Sequence, residues 1–287
     1  MARWNEAHRP ARPAGAAAGL LTLLVLGLPM LAPGCRPTAD ADRAPVVAAT
    51  TSYLEAAVYD LLGEEALVLR LAEPGTCPGH FDLRPSQAEA LRRCRVLLRF
   101  DFQKSLETHL AGRGTNGPAL GAITVRRGMG LPESYLEACR QTAEHLVGAG
   151  LLERTAAEAR LGTLAARLET LGSELTKRVA QSGLAGTPVV ASAHQRDFCE
   201  WLGLRVVATY RAADTASIRE IEQALAAGRL AEVKLVVANR PEGRRTADAL
   251  AERLGARVVV FENFPDRVNG RISFDQMIRT NLARLFL

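Results

Sequence analysis

The 287-residue chain reads as an α/β protein of two lobes, each a mostly parallel sheet flanked by helices, joined by one long connector helix. Two observations predict this. Short β-branched or aliphatic runs alternate with amphipathic segments in two separate sets, the pattern of parallel sheets covered on both faces. Between the sets lies a proline-free stretch, Leu152 to Gln181, in which Leu161, Leu164, Leu168, Leu171, Leu175 and Val179 recur at intervals of three and four. That spacing places them on one face of a helix of about 30 residues. A coiled-coil dimer is the other reading of such a stripe, but it runs for under three heptads, and a monomer is expected.

In the first set, strands are expected at Val46–Thr50, Ala66–Leu69, Arg95–Leu98 and Ala122–Val125, with helices near 52–62, 86–93 and 103–110. In the second, strands are expected at Thr187–Ala191, Leu204–Thr209, Val233–Ala238 and Arg257–Phe261, with helices near 195–202, 216–228, 244–254 and 273–286. The lobes are thus 45–151 and 183–287, with the connector at 152–182.

Residues 1–34 read as an export signal. Arg3, Arg9 and Arg12 precede an uncharged stretch centred on Leu20–Leu26, which ends in Leu31-Ala32-Pro33-Gly34 before Cys35. The segment resembles a bacterial lipoprotein signal, which implies acylation of Cys35 and a membrane anchor. Ala32 stands where that motif prefers leucine, and Ala32-Pro33-Gly34 also suits cleavage to a soluble secreted protein. Each reading, an uncleaved anchor helix included, places the rest of the chain outside the cytoplasm. Residues 35–44 read as a polar tether.

Hydrophobic residues make up 48% of the chain and charged residues 23%, enough apolar character to bury a core and too dispersed for several membrane spans. The net charge of +5 falls to +3 once residues 1–34 are removed, and no run of Lys or Arg exceeds two residues. A nucleic-acid partner is therefore not expected. No Gly-x-Ser-x-Gly elbow, phosphate-binding loop or His-Glu-x-x-His motif appears, and an enzyme is not expected. A cysteine enzyme built on Cys77 with His80 or His194 is the remaining catalytic reading.

Two histidines lie where strands give way to loops. His80 follows Pro74-Gly75-Thr76-Cys77-Pro78-Gly79, with Pro85-Ser86 beyond it, and His194 closes the strand Val189–Ala193. Ligands of open α/β sheets bind at such loops. At these residues, and in its alternation over nearly all of 45–287, the chain resembles the substrate-binding proteins of zinc and manganese ABC importers. The resemblance implies metal-ligating roles for His80 and His194, capture in a cleft between lobes, and delivery to an ABC permease and its ATPase, neither of which is in this chain. Two family positions are missing: Gly128–Glu133 holds no histidine, and the usual aspartate after the last strand is replaced by Phe261-Glu262-Asn263-Phe264-Pro265-Asp266.

Cys77, three residues before His80, is a candidate to fill the gap; a disulfide with Cys139 or Cys199, or a buried thiol, are its alternatives. Glu262 is the candidate acidic ligand and Asp266 the fallback. Zinc accepts tetrahedral nitrogen, sulfur and oxygen donors, so Cys77, His80, His194 and Glu262 form a sensible zinc set, whereas manganese is disfavoured by a thiolate. Binding needs neutral imidazoles, so affinity is expected to fall in acid. A receptor for a larger metal chelate and an adhesin with vestigial metal binding are the rival readings. His109 and His145 are expected to be solvated and Cys94 to lie in the core.

Overall fold

The computed structural model describes residues 45–74, 83–104 and 117–287. Cys35, Cys77, His80, His109 and the expected signal and tether lie outside the described residues. The first sheet comprises β1 (Val47–Ala49), β2 (Val68–Arg70), β3 (Val96–Phe100) and β4 (Ala119–Ile123), all parallel, in the order β2-β1-β3-β4. The second comprises β5 (Pro188–Ser192), β6 (Arg205–Tyr210), β7 (Leu235–Asn239) and β8 (Arg257–Phe261), parallel in the matching order β6-β5-β7-β8. A small antiparallel hairpin, β9 (Arg267–Val268) with β10 (Arg271–Ile272), follows the last strand.

The helices are α1 (Ser52–Leu62), α2 (Pro85–Leu91), α3 (Pro132–Gly148), α4 (Arg154–Gln181), α5 (Arg196–Trp201), α6 (Ile218–Leu230), α7 (Arg245–Leu254) and α8 (Phe274–Leu285). Their ends follow local chemistry. Thr51, Ser217 and Ser273 cap α1, α6 and α8 by accepting the amide hydrogens of Leu54, Glu220 and Gln276. Pro132 opens α3, where a missing N–H costs nothing, and Gly255 ends α7 in the left-handed region.

Helix α4 is the expected connector. Its 28 residues span roughly 42 Å, and Leu164, Leu168, Leu171, Leu175 and Val179 are all buried. One apolar cluster runs from Val47, Tyr53 and Leu98 of the first lobe through this stripe to Phe198, Phe261 and Phe274 of the second. The lobes are therefore not two separate cores on a bare rod. Tyr135 of α3 stacks on Phe274 of α8 at 4.1 Å, and Tyr53 of α1 meets both rings edge-on, so the C-terminal helix packs onto the first lobe.

Helix α3 is not among the elements expected above, because its buried face is built largely of small or polar residues, Ser134, Ala138, Cys139, Thr142 and Ala143. Strand β4 begins three residues earlier than expected. Leu120 on this edge is exposed, and the apolar run continues past the strand, where Val125 lines a cavity. Cys94 is buried, as expected. His145 is not fully solvated: its ring lies against Gly121, where an added Cβ would stand 2.8 Å from the ring. No described helix is long and apolar enough to cross a membrane.

Candidate functional site

In each sheet the strand order reverses between its first and third strands, and crevices at such switch points, outside the carboxyl ends of the strands, collect ligands. Each crevice is floored by the same device. In the first lobe Thr50, after β1, donates its hydroxyl at 2.7 Å to Oε1 of Gln103, the last residue of a 3₁₀ turn after β3. In the second, Ser192 donates to Oε2 of Glu242, the last residue of a 3₁₀ turn after β7. The charge differs: the first lobe has an amide there and the second a carboxylate.

His194 sits on the 3₁₀ turn Ala193–Gln195 after β5, with its backbone N–H held by Ser192 Oγ at 3.3 Å. Its Nε2 lies 3.7 Å from Glu242 Oε1. That is too long for a hydrogen bond. It is close to the separation of two donors on one tetrahedral zinc ion, roughly 3.4 Å for bonds of about 2.1 Å. Ser192 occupies the other carboxylate oxygen and so holds Oε1 towards the imidazole. The imidazole is largely exposed and the carboxylate mostly buried.

The surrounding loops are tied together. The Gln195 amide donates at 3.0 Å to Asn239 and at 2.9 Å to Asn263, joining the strand ends of β5, β7 and β8. Asp197 of α5 accepts the Gly128 N–H at 2.7 Å, which fastens the first-lobe loop after β4 to the second lobe. A Cβ at Gly128 would stand 2.9 Å from that of Asp197, and one at Gly130 would stand 2.8 Å from the Phe198 ring. The second lobe thus occupies the space that a side chain at Gly128 or Gly130 would need. The resulting cavity, about 480 Å³, is lined by Phe102, Val125, Met129, His194, Asp197, Asn239, Glu242, Asn263 and Phe264 among others.

Of the residues singled out in the sequence, His194 lies in this cavity, while Cys77 and His80 lie outside the described residues. Glu262 is otherwise engaged. Its buried carboxylate accepts from Arg240 at 3.0 Å and Arg284 at 2.9 Å, and its backbone exchanges two hydrogen bonds with Asn281. Asp266 pairs with the same Arg240. Neither lines the cavity among its described residues. Glu242, not singled out in the sequence, is the carboxylate beside His194; its signal was a position matching Gln103 in the other lobe, invisible without the strand order. Cys139 and Cys199 are buried free thiols, and burial pushes both well above the usual cysteine range; Cys77, their expected alternative partner, lies outside the described residues. Among the described residues no three His, Cys, Asp or Glu side chains converge.

Two matched parallel sheets meeting at a cleft, with an imidazole and a carboxylate at one switch point, are the plan of a metal-binding solute receptor. The family model described as "ZnuA: Zinc-uptake complex component A periplasmic" matches residues 47–286, and the chain belongs to that family. Members are the extracytoplasmic metal-binding component that serves an ABC permease and its ATPase. The fold is similar to that of a manganese-bound periplasmic metal-binding protein from candidatus Liberibacter asiaticus, with 11% identity, a TM-score of 0.68 and coverage of 83% of this chain and 97% of that one. It is equally similar to a zinc-bound 138–173 deletion mutant of ZnuA, with 16% identity, a TM-score of 0.68 and coverage of 85% and 97%. A cadmium-bound form of the Liberibacter protein matches at 12% identity, a TM-score of 0.68 and the same coverage of 83% and 97%. No curated protein sequence matches.

Proposed function

We propose that the chain captures a divalent transition metal, zinc foremost, between its lobes and hands it to an ABC permease. The 3.7 Å separation of His194 Nε2 and Glu242 Oε1 carries this reading, because it leaves two donors at the spacing of one ion's ligands with no hydrogen bond between them. Cys77 and His80 supply the remaining donors in this proposal, and Glu242 takes the part expected of Glu262. A thiolate and two imidazoles favour zinc over manganese, whose preferred ligands are oxygens. Export on residues 1–34, anchoring through an acylated Cys35 and action as a monomer complete the proposal.

A second reading rests on cavity size. About 480 Å³ walled by Phe102, Val125, Met129 and Phe264 is within the range of small-molecule pockets and larger than one coordinated ion requires. It supports capture of the metal together with a small organic chelator.

Metal analysis separates the readings. The protein is loaded with zinc, washed of excess and assayed beside His80→Ala, His194→Ala and Glu242→Gln. One zinc per chain, lost in the variants, supports the first reading. Retention only when a chelator such as free histidine is supplied supports the second, and no stoichiometric metal under either condition ends both.

A further inference from the structure

Two arginines of the second-lobe hairpin reach the first-lobe helix α1. Arg267 of β9 donates at 2.9 Å to Oε1 of Glu55, in the first turn of α1, and Arg271 of β10 pairs at 3.0 Å with Glu64, just past its end. The two contacts differ in depth. Glu64 and Arg271 are both well exposed, whereas the Glu55 side chain is only 2% exposed. A buried carboxylate needs partners, and among the described residues Glu55 has three: Arg267, the Tyr59 hydroxyl at 2.9 Å, and Arg70 at 2.8 Å. Arg70 ends β2, and its second amino group donates at 2.8 Å to Glu73. One ionic chain, Arg267–Glu55–Arg70–Glu73, therefore runs from the second-lobe hairpin to the residues leading into segment 75–82.

We propose that Glu55 is a positioning residue for metal capture: through its paired contacts to Arg70 and Arg267 it holds the first-lobe stem at residues 70–74 in register with the second lobe. Both ends of the chain follow the carboxyl ends of strands, β2 in one sheet and β8 in the other, the side on which the cleft lies. Arg267 also donates at 2.8 Å to the Gly270 carbonyl, which stiffens the hairpin that presents it. The inference rests on the proposed ligand role of the segment beyond the stem, and it makes a further claim of its own, that a change in the hairpin is felt in the other lobe.

The test has two arms. In metal-free protein, hydrogen exchange is compared among the unmutated chain, Arg267→Met, Glu55→Gln and, as a control, Arg271→Met. Arg267→Met is expected to speed exchange across residues 68–74 roughly tenfold, the factor a charged hydrogen bond is worth, while Arg271→Met leaves that stretch unchanged. In zinc-loaded protein, a chelator chase is expected to show faster zinc release in Arg267→Met and in Glu55→Gln, with the double variant no faster than the faster single one. Exchange confined to residues 267–272 overturns the proposal, as does a zinc release rate unmoved by either variant. If the unmutated protein binds no zinc, the functional reading fails while the exchange arm still decides the coupling.

Discussion

Replacing Gly130 by alanine tests the arrangement that brings the first-lobe loop against the second lobe. Gly130 does not occupy the left-handed backbone region, so alanine is conformationally admissible there. In open space the change would stabilise by about 0.4–1 kcal/mol, by restricting the unfolded chain. The added Cβ, however, would stand 2.8 Å from Cγ and 2.9 Å from Cδ2 of Phe198. That ring is fully buried and backed by Phe261 at 5.4 Å and Trp201 at 5.8 Å, so it has nowhere to swing. Overpacking of this kind costs about 1–3 kcal/mol, which outweighs the gain and leaves a destabilisation of about 1–2 kcal/mol. Urea unfolding reads it as a lower midpoint at unchanged slope. Gly162→Ala, at an exposed position inside α4 with nothing within 4 Å of the new Cβ, is the matched control and is expected to stabilise by about 0.5–1 kcal/mol. If Gly130→Ala also stabilises, the loop does not lie on Phe198.

Further expectations concern the core, the ion pairs and acid. Leu171→Ala in the connector stripe is expected to cost about 2–5 kcal/mol and to shift fluorescence and far-UV dichroism together, because one apolar cluster spans both lobes; separate transitions would show two independent cores. Glu262→Gln is expected to lower stability while leaving zinc affinity within about twofold, whereas Glu242→Gln weakens zinc binding by 10–100-fold, on the order of 1.4–2.8 kcal/mol, with little loss of stability; competition with a chromogenic chelator distinguishes them. Burial pushes the Asp275 carboxyl above its usual range, opposed by Arg167 and reinforced by Asp60. The folded state then holds that proton to higher pH than the unfolded chain, so the contribution favours folding in acid and is lost as pH rises through the folded value. Asp275→Asn is accordingly expected to gain stability relative to the unmutated protein as pH rises out of the carboxylate range, and urea midpoints that track in parallel at every pH would contradict this.

The periodicity of the sequence carried most of the architecture. The stripe from Leu164 to Val179 announced α4, and aliphatic runs bounded by turns located β5 to β8 within a few residues. Helix α3 was harder to read because alanine, cysteine, serine and threonine form its buried face, which leaves little hydrophobic contrast. Of the site, His194 was legible because it closes an aliphatic strand. Glu242 was not: its role depends on β7 lying beside β5, a pairing 40 or more residues apart in sequence, and on Ser192 turning the carboxylate. Glu262 stood out for its nearness to a strand end, but local sequence does not show that Arg240 and Arg284 converge on it from other elements.

The most direct test is a crystal of the zinc-soaked protein measured on both sides of the zinc absorption edge. One anomalous peak per chain, about 2.0–2.3 Å from both His194 Nε2 and Glu242 Oε1, is the outcome expected of shared coordination. A zinc peak whose ligands exclude Glu242, or a cleft without zinc at saturating metal, would contradict it.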